Sequence, residues 1–190
     1  MKIGFAMCGS FCTFDQVFPI VEKLAAQHEI IPIFSQTVST TDCRFGTAEE
    51  FRQRMTDICG RPPLDSIVAV EPIGPKKLLD ALVIAPCTGN TLAKLAHGIA
   101  DTPVTMAAKS HLRNARPVVI ALSSNDALAA AAENIGKLLA RRHYYFVPYG
   151  QDAPEGKPTS LIADFERIPH ALEAALLGKQ LQPILTHKQK

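Results

Sequence analysis

An α/β fold in three layers, with a mostly parallel sheet covered by helices on both faces, follows from three features of the 190-residue sequence. Short apolar runs alternate with longer amphipathic ones, the rhythm of strand-loop-helix units. The short runs are near-continuously apolar rather than alternating, as strands buried on both faces require. The segments that follow them are small and polar, as befits loops at the carboxyl edge of such a sheet.

The elements come in order. Ile3-Gly4-Phe5-Ala6-Met7 reads as a buried strand. Residues 13–27 read as a helix, with Val17, Ile20, Val21, Leu24 and Ala25 at helical spacing. Residues 29–35 give a second strand, and Pro32, which has no N–H to donate, makes it irregular or places it near an edge. Residues 48–59 are helical and stop at Arg61-Pro62-Pro63. Residues 66–70 are expected as a short strand. Ala81-Leu82-Val83-Ile84-Ala85 is the clearest buried strand, and 91–100 a helix with Leu92, Leu95, Ala96 and Ile99 on one face. Residues 117–122 form another buried strand, 126–142 an Ala-rich helix, 144–147 a last short strand and 161–177 a last helix. Residues 148–159 are rich in Pro and Gly and form a loop. No repeat or linker divides the chain, so residues 1–177 are expected as one domain and 178–190 as a polar, basic tail that frays.

Composition excludes several classes of function. Twenty basic against 18 acidic residues give a formal charge of +2, with no electrostatic footprint for nucleic acid or an anionic membrane. Aromatics are 6% with no Trp, so a base-stacking surface is not expected. The apolar runs are too short to span a bilayer, and Met1-Lys2-Ile3-Gly4 does not open a signal peptide. A cytoplasmic protein with reduced thiols is expected, since Cys8, Cys12, Cys43, Cys59 and Cys87 are odd in number. No C-x-x-C pair is present, and no metal site is expected.

In open parallel sheets, ligands bind beyond the carboxyl ends of the strands, where strand order reverses. Cys8-Gly9-Ser10-Phe11-Cys12-Thr13 follows the first strand. Gly9 permits close backbone approach, Ser10 and Thr13 bring hydroxyls, and a helix opens next, the makings of a phosphate cradle. The loop is neither G-x-G-x-x-G nor a Walker loop, so a dinucleotide or nucleoside triphosphate is not indicated. The hydroxyl-rich run from Ser35 and Thr37 to Thr41 follows the second strand, Pro86-Cys87-Thr88-Gly89-Asn90-Thr91 the third, and Ser123-Ser124-Asn125-Asp126 the fourth. Helix capping accounts for many of these residues singly. Four consecutive rim loops that are small and polar, with no bulky or charged side chain expected to close the pocket, suit a planar, phosphate-bearing ligand. Cys8 and Cys87 at strand ends are either reactive or, more commonly, buried inert thiols. His28, His97, His143, His170 and His187 are scattered, whereas His111 lies in the basic run 109–116. That run is either a solvated face, a surface for a neighbouring subunit or a site for an acidic substrate.

The run Leu82-Val83-Ile84-Ala85-Pro86-Cys87-Thr88-Gly89-Asn90-Thr91-Leu92-Ala93-Lys94-Leu95-Ala96-His97-Gly98-Ile99-Ala100-Asp101 resembles the A-P-A-T-A-N-T-[IL]-A-K-[LI]-A-x-G-[IL]-A-D signature of the flavoprotein family. This family includes flavin-dependent cysteine decarboxylases, phosphopantothenoylcysteine decarboxylase and prenylated-flavin synthases. The resemblance implies a flavodoxin-like (Rossmann-like) sandwich, assembly as trimers or dodecamers, and FMN with its phosphate at Gly9, Ser10 and Ser35. The implied cofactor set is Gly9, Ser10, Phe11, Ser35, Thr37, Pro86, Cys87, Thr88, Gly89, Asn90, Ser123, Ser124 and Asn125. Cys8-Gly9-Ser10-Phe11-Cys12-Thr13-Phe14, residues 109–117 and Pro148-Tyr149-Gly150-Gln151-Asp152 are most similar to one branch of the family, found in sporulating bacteria. That branch implies work in the mother cell with a dehydrogenase-like partner subunit that binds NADP or NAD. Together they would oxidise a dihydropyridine dicarboxylate to the aromatic pyridine. A dicarboxylate needs cations, and Lys109, Arg113, Arg116 and Lys157 are the candidates. Candidate catalytic residues are Asn125, Cys87 and His111. The chain departs from the decarboxylases. Of their P-x-M-N-x-x-M-W motif only Asn125 remains in Leu122-Ser123-Ser124-Asn125-Asp126-Ala127-Leu128, and residues 13–27 lack their helix histidine. Alternatives are another FMN-dependent decarboxylase or flavin prenyltransferase, and a non-catalytic assembly or activating subunit.

Overall fold

The computed structural model describes residues 1–186. Strands β1 (Lys2–Met7), β2 (Glu29–Phe34), β3 (Ala81–Cys87), β4 (Val118–Ser124) and β5 (Tyr144–Phe146) run parallel in the order β2-β1-β3-β4-β5. Beyond Ile120 the ladder on β4 changes partner. Its end pairs antiparallel with β7 (Leu161–Ala163), which pairs with β6 (Tyr149–Gly150). Strand β3 is buried along its whole length and β1 from its second residue. Ile3, Phe5, Val83, Ile84, Val119 and Ile120 have no solvent exposure, the two-face burial that their unbroken apolar runs predict. Pro32 lies in β2, at the sheet edge, where its missing N–H breaks no ladder bond to another full strand.

The helices are α1 (Phe14–Ala25), α2 (Gln36–Thr40), α3 (Ala48–Cys59), α4 (Ile67–Val70), α5 (Gly89–His97), α6 (Pro103–Leu112), α7 (Ala132–Leu139) and α8 (Ile168–Leu176). Helix α1 buries Val17, Ile20, Val21 and Leu24, four of the positions its periodicity selects. Helix α3 begins in a capping box, Thr47 with Glu50, and ends at Gly60 with a positive φ of 68°.

Several local expectations are corrected. Residues 66–70 are not a strand: the Ser66 hydroxyl accepts from the Ala69 amide at 3.2 Å and starts α4. Residues 161–177 are not one helix, because 161–163 pair with the end of β4 and α8 starts only at Ile168. The helix expected over 126–142 is only α7, preceded by turns whose Ala129 and Ala131 amides both donate to the Asp126 carbonyl. Helix α6 was not expected at all. It is short of apolar periodicity because Pro103, Val104, Thr105, Ala107, Ala108, Ser110 and His111 are all buried, but Thr102-Pro103 is a helix start. The segment after α8 does not fray where it is described. Gln180 exchanges side-chain hydrogen bonds with both the Phe146 amide and carbonyl, and Thr186 donates to the Tyr149 carbonyl at 2.9 Å. Residues 187–190, including His187, lie outside the described residues.

Candidate functional site

Strand β1 sits between β2 and β3, and the connections from β1 and β3 leave in opposite directions along the sheet. A crevice therefore opens at their carboxyl ends. The loop after β1 is fixed there by its own backbone. The Cys8 amide donates to the Pro86 carbonyl of β3 at 3.2 Å, and the Ser10 amide to the Cys8 carbonyl at 2.8 Å. Thr13 donates both its amide and its hydroxyl to the Ser10 carbonyl, at 3.0 and 2.8 Å. The result aims Ser10 across the crevice, where its Oγ lies 2.8 Å from Ser123 Oγ at the end of β4. Phe11 and Cys12 open the helical turn that runs into α1, so their amides have no carbonyl before them within it.

Two glycines are required by close approach. A Cβ on Gly9 would lie 2.9 Å from Thr37 Cγ2. One on Gly89 would lie 2.7 Å from Ser124 Oγ and 2.9 Å from Asp126 Oδ1. The Gly89 contact is with a second rim loop, in which the Ser124 hydroxyl donates to Asp126 Oδ1. Thr88 caps α5 through the Thr91 amide at 3.4 Å, while Thr91 donates its hydroxyl to Cys8 Sγ at 3.3 Å.

These loops and the segment between β6 and β7 enclose a cleft of about 230 Å³. Of the residues expected to bind the cofactor, Gly9, Ser10, Thr88, Gly89, Ser123, Ser124 and Asn125 line it. Lys157 lines it too, because the pairing Ser124↔Leu161 and the Thr159 hydroxyl bond to the Asn125 carbonyl at 2.7 Å pull residues 151–160 over the rim. Thr13, whose hydroxyl the sequence assigns to the cradle, lines it as well, while sequence reasoning missed Cys12, Asp152, Ser160 and Ile162 as wall residues. Asp152 had a signal, since it lies in the Pro- and Gly-rich loop singled out at 148–159. Ser160 and Ile162 had none, because only the antiparallel β7 brings them here.

Other named residues stand behind the wall. Ser35 caps α2 through the Val38 amide at 3.3 Å, and Thr37 backs Gly9. Phe11 packs on Phe14 and Phe51, at ring distances of 5.2 and 5.7 Å. Pro86 and Cys87 are buried in β3, and Asn90 is exposed on α5 outside the cleft. Cys87 is fully buried, and burial pushes its thiol well above the ordinary value. Burial likewise pushes Cys8 up to about 11, so neither is a thiolate near neutrality.

The basic run lies elsewhere. Lys109 and Arg113 flank a separate groove of about 450 Å³, with Leu95, Ile99, Arg141 and Tyr144. Tyr144 pairs with Val118 at the start of β4, so this groove is at the amino end of the sheet. Arg116 is also at that end. Its guanidinium donates to the Lys77 carbonyl at 3.2 Å and to the Leu79 carbonyl, and pairs with Asp80 at 3.6 Å. His111 is fully buried between them, with Nε2 3.1 Å from the Pro117 carbonyl and Nδ1 without a partner among the described residues. Burial, first, and the Arg116 charge hold its pKa down at about 4, against a pull upward from the Pro117 bond and Asp80. Within this chain, none of Lys109, Arg113, Arg116 or His111 faces the cleft. Among the described residues, no helix is long and apolar enough to cross a membrane.

The sequence profile described as Flavoprotein matches residues 1–167. The chain belongs to the flavoprotein family. Among flavoproteins, the B subunit of dipicolinate synthase from Bacillus subtilis (strain 168) is 45% identical over 185 residues, 97% of this chain and 92% of that protein. The crystal structure of the B subunit of dipicolinate synthase from Bacillus halodurans superposes with a TM-score of 0.91 at 45% identity, covering 99% of this chain and 97% of that one. Burkholderia xenovorans DmrB, an FMN complex described as a cubic protein cage for redox transfer, shares the fold with a TM-score of 0.70 at 18% identity, covering 93% and 95%. The α/β fold of the chain is thus that of the flavodoxin-like flavoprotein structures.

Proposed function

We propose that the chain binds FMN in the cleft at the β1/β3 crevice. It would serve there as the B subunit of a dipicolinate synthase, oxidising a dihydrodipicolinate-type precursor to pyridine-2,6-dicarboxylate with a dehydrogenase-like A subunit. The observation that carries the reading is the Ser10–Ser123 hydroxyl pair, 2.8 Å apart beside Gly9, whose lack of a Cβ lets Thr37 pack close behind the loop. Each hydroxyl can turn its proton toward an oxyanion, and the helical turn that opens at Phe11 in the same loop leaves its first amides without a helical acceptor. Full-length identity of 45% to the B subunit of dipicolinate synthase supports the reaction class.

The residues fit a flavin mononucleotide by their chemistry. Gly9, Ser10 and Ser123 offer neutral donors for a phosphate, and Thr13 holds the loop in place through its two bonds to the Ser10 carbonyl. Thr88, Gly89, Ser124 and Asn125 offer small polar edges beside which a flat ring can lie. At about 230 Å³ the cleft is smaller than pockets that engulf a ligand, so a mononucleotide keeps part of its surface outside it. The bound flavin supplies a two-electron acceptor. The chain's own work is to hold the phosphate, to keep Cys8 and Cys87 protonated and unreactive behind it, and to present Lys157 to a carboxylate. Lys109 and Arg113, at the far end of the sheet, can meet a substrate only on another copy or another chain. An oligomer, trimeric or dodecameric, and a dehydrogenase-like partner supplying NADP or NAD belong to the same proposal.

The test is direct. The purified chain titrated with FMN is expected to saturate at one flavin per chain, followed by absorbance and fluorescence quenching. Ser10→Ala with Ser123→Ala is expected to weaken binding by about tenfold or more. Adding the dehydrogenase-like partner, nicotinamide cofactor and dihydrodipicolinate should then give the aromatic product. No flavin binding, or full turnover by the dehydrogenase-like partner alone, would refute the proposal.

A further inference from the structure

Asp152, Lys157, Ser160 and Ile162 form the outer wall of the cleft, and the segment that carries them has little pairing of its own. Strands β6 and β7 share only the pairs Tyr149↔Ala163 and Gly150↔Ile162, and β7 meets β4 only at Ser123 and Ser124. A hairpin this short is marginal by itself. Strands β5 and β6 also leave an outer edge, where backbone N–H and C=O groups lack a neighbouring strand. Residues 180–186 close both edges. Gln180 stands beside β5 as a strand would: its Oε1 accepts from the Phe146 amide at 2.8 Å, and its Nε2 donates to the Phe146 carbonyl at 2.6 Å. Along β6, the Tyr149 amide donates to the Ile184 carbonyl and the Thr186 amide to the Tyr149 carbonyl, both at 2.9 Å. Leu181 and Ile184 pack against the core. A Cβ on Gly150 would run into the Thr186 carbonyl oxygen, so this contact is backbone on backbone.

Residues 180–186 thus satisfy the amide and carbonyl of both Phe146 and Tyr149, on the stretch that leads into the outer wall. None of them lines the cleft, so they act on it only through that stretch. We infer that residues 180–186 are a strap that holds the wall segment 151–163 over the cleft, so that the C-terminal segment sets how fast the bound ligand leaves. The inference rests on FMN as the occupant, as proposed above, and assigns the part of the chain that retains it. Without the strap, the edge groups of β5 and β6 return to water at a small net cost, and the long parallel ladders β1, β2 and β3 keep their pairing. The short hairpin of β6 and β7 opens first. A wall that opens more often lets the ligand escape sooner, while the cradle at Gly9 and Ser10 keeps its donors. Gln180 and Gly150 are positioning residues in this account, since neither faces the cleft.

Three variants release the strap in different ways. Ending the chain at Lys179 removes it, with the chain ending at Thr186 as the reference. Gly150→Ala pushes the Thr186 carbonyl away, and Gln180→Met loses both bonds to Phe146 at nearly the same size. Amide exchange read by mass spectrometry is expected to quicken about tenfold or more over residues 157–164 in each variant, and to stay unchanged in β1 and β3. FMN release, followed by the return of flavin fluorescence on dilution, should quicken about tenfold or more. In the chain ending at Lys179, Gly150→Ala has no Thr186 to meet and should change release by less than about twofold. If the shortened chain does not fold, Gly150→Ala and Gln180→Met in the full chain decide. Unchanged exchange over 157–164, faster exchange with unchanged FMN release, or an equal effect of Gly150→Ala with and without the strap overturns the inference and leaves the proposed function standing. If the wild type takes up no FMN, the proposed function fails and the inference with it.

Discussion

Replacing His111 by Gln should flatten the acid side of the stability profile. His111 has no solvent exposure, and its ring bonds the Pro117 carbonyl through Nε2, at 3.1 Å. The carbonyl can only accept, so Nε2 carries the proton and the ring is neutral. Burial holds the folded pKa at about 4, below the unfolded value of 6.5. Below pH 6.5 the unfolded chain therefore binds a proton that the folded one refuses. Stability from this residue is full above pH 6.5 and is lost as the pH falls toward 4. The whole window amounts to about 3 kcal/mol, of which about 2 kcal/mol falls between pH 7 and pH 5. Gln can place an amide N–H near Nε2 and has no titration. Urea unfolding of both proteins at pH 7 and pH 5 gives the difference, because titrations of other groups are common to the pair. The wild type should lose about 2 kcal/mol more than His111→Gln between the two pH values. Equal losses would show that His111 is not held neutral by its burial, and would reopen a chemical role for it.

Other outcomes follow from the same geometry. Gly9→Ala puts a methyl 2.9 Å from Thr37 Cγ2, and FMN affinity measured by fluorescence should fall about tenfold or more. Adding Thr37→Ser, which removes that Cγ2, should recover much of the loss, and no recovery would mean that the cradle excludes the methyl for another reason. Arg116→Ala removes the donor to the Lys77 and Leu79 carbonyls and should cost about 1–2 kcal/mol in urea unfolding. It should leave FMN affinity unchanged, and a change would place this end of the sheet in communication with the cleft. A disulfide reagent at pH 7.5 should label exposed Cys12 quickly and Cys8 and Cys87 only on unfolding. Fast labelling of Cys87 in the folded protein would refute its inert reading.

The parallel layers of the fold were legible because their causes are local. Val17, Ile20, Val21 and Leu24 repeat every turn of α1, and the unbroken apolar runs of β1, β3 and β4 need cover on both faces. Helix α6 escaped for the opposite reason. Its burial extends around most of its circumference, and small residues such as Ala107 and Ala108 carry no stripe to read. The error over 161–177 had a long-range cause: Leu161 and Ile162 become a strand only because Ser123 and Ser124 present an open edge to them.

By itself the sequence determined the alternation of strands and helices behind the parallel layers, the family, and the glycine and hydroxyl positions of the rim. Each of these is written in consecutive residues or in a repeat of two or 3.6 residues. Tertiary structure alone decided which polar residues meet. It joined Ser10 to Ser123 across 113 positions, brought Asp152 and Lys157 over the cleft through β7, and carried Lys109, Arg113 and Arg116 to the opposite end of the strands. The physical reason is that strand pairing, not sequence distance, sets which loops share an end of the sheet. A charged run shows its composition in the chain, but the end it occupies depends on the direction of the strand beside it.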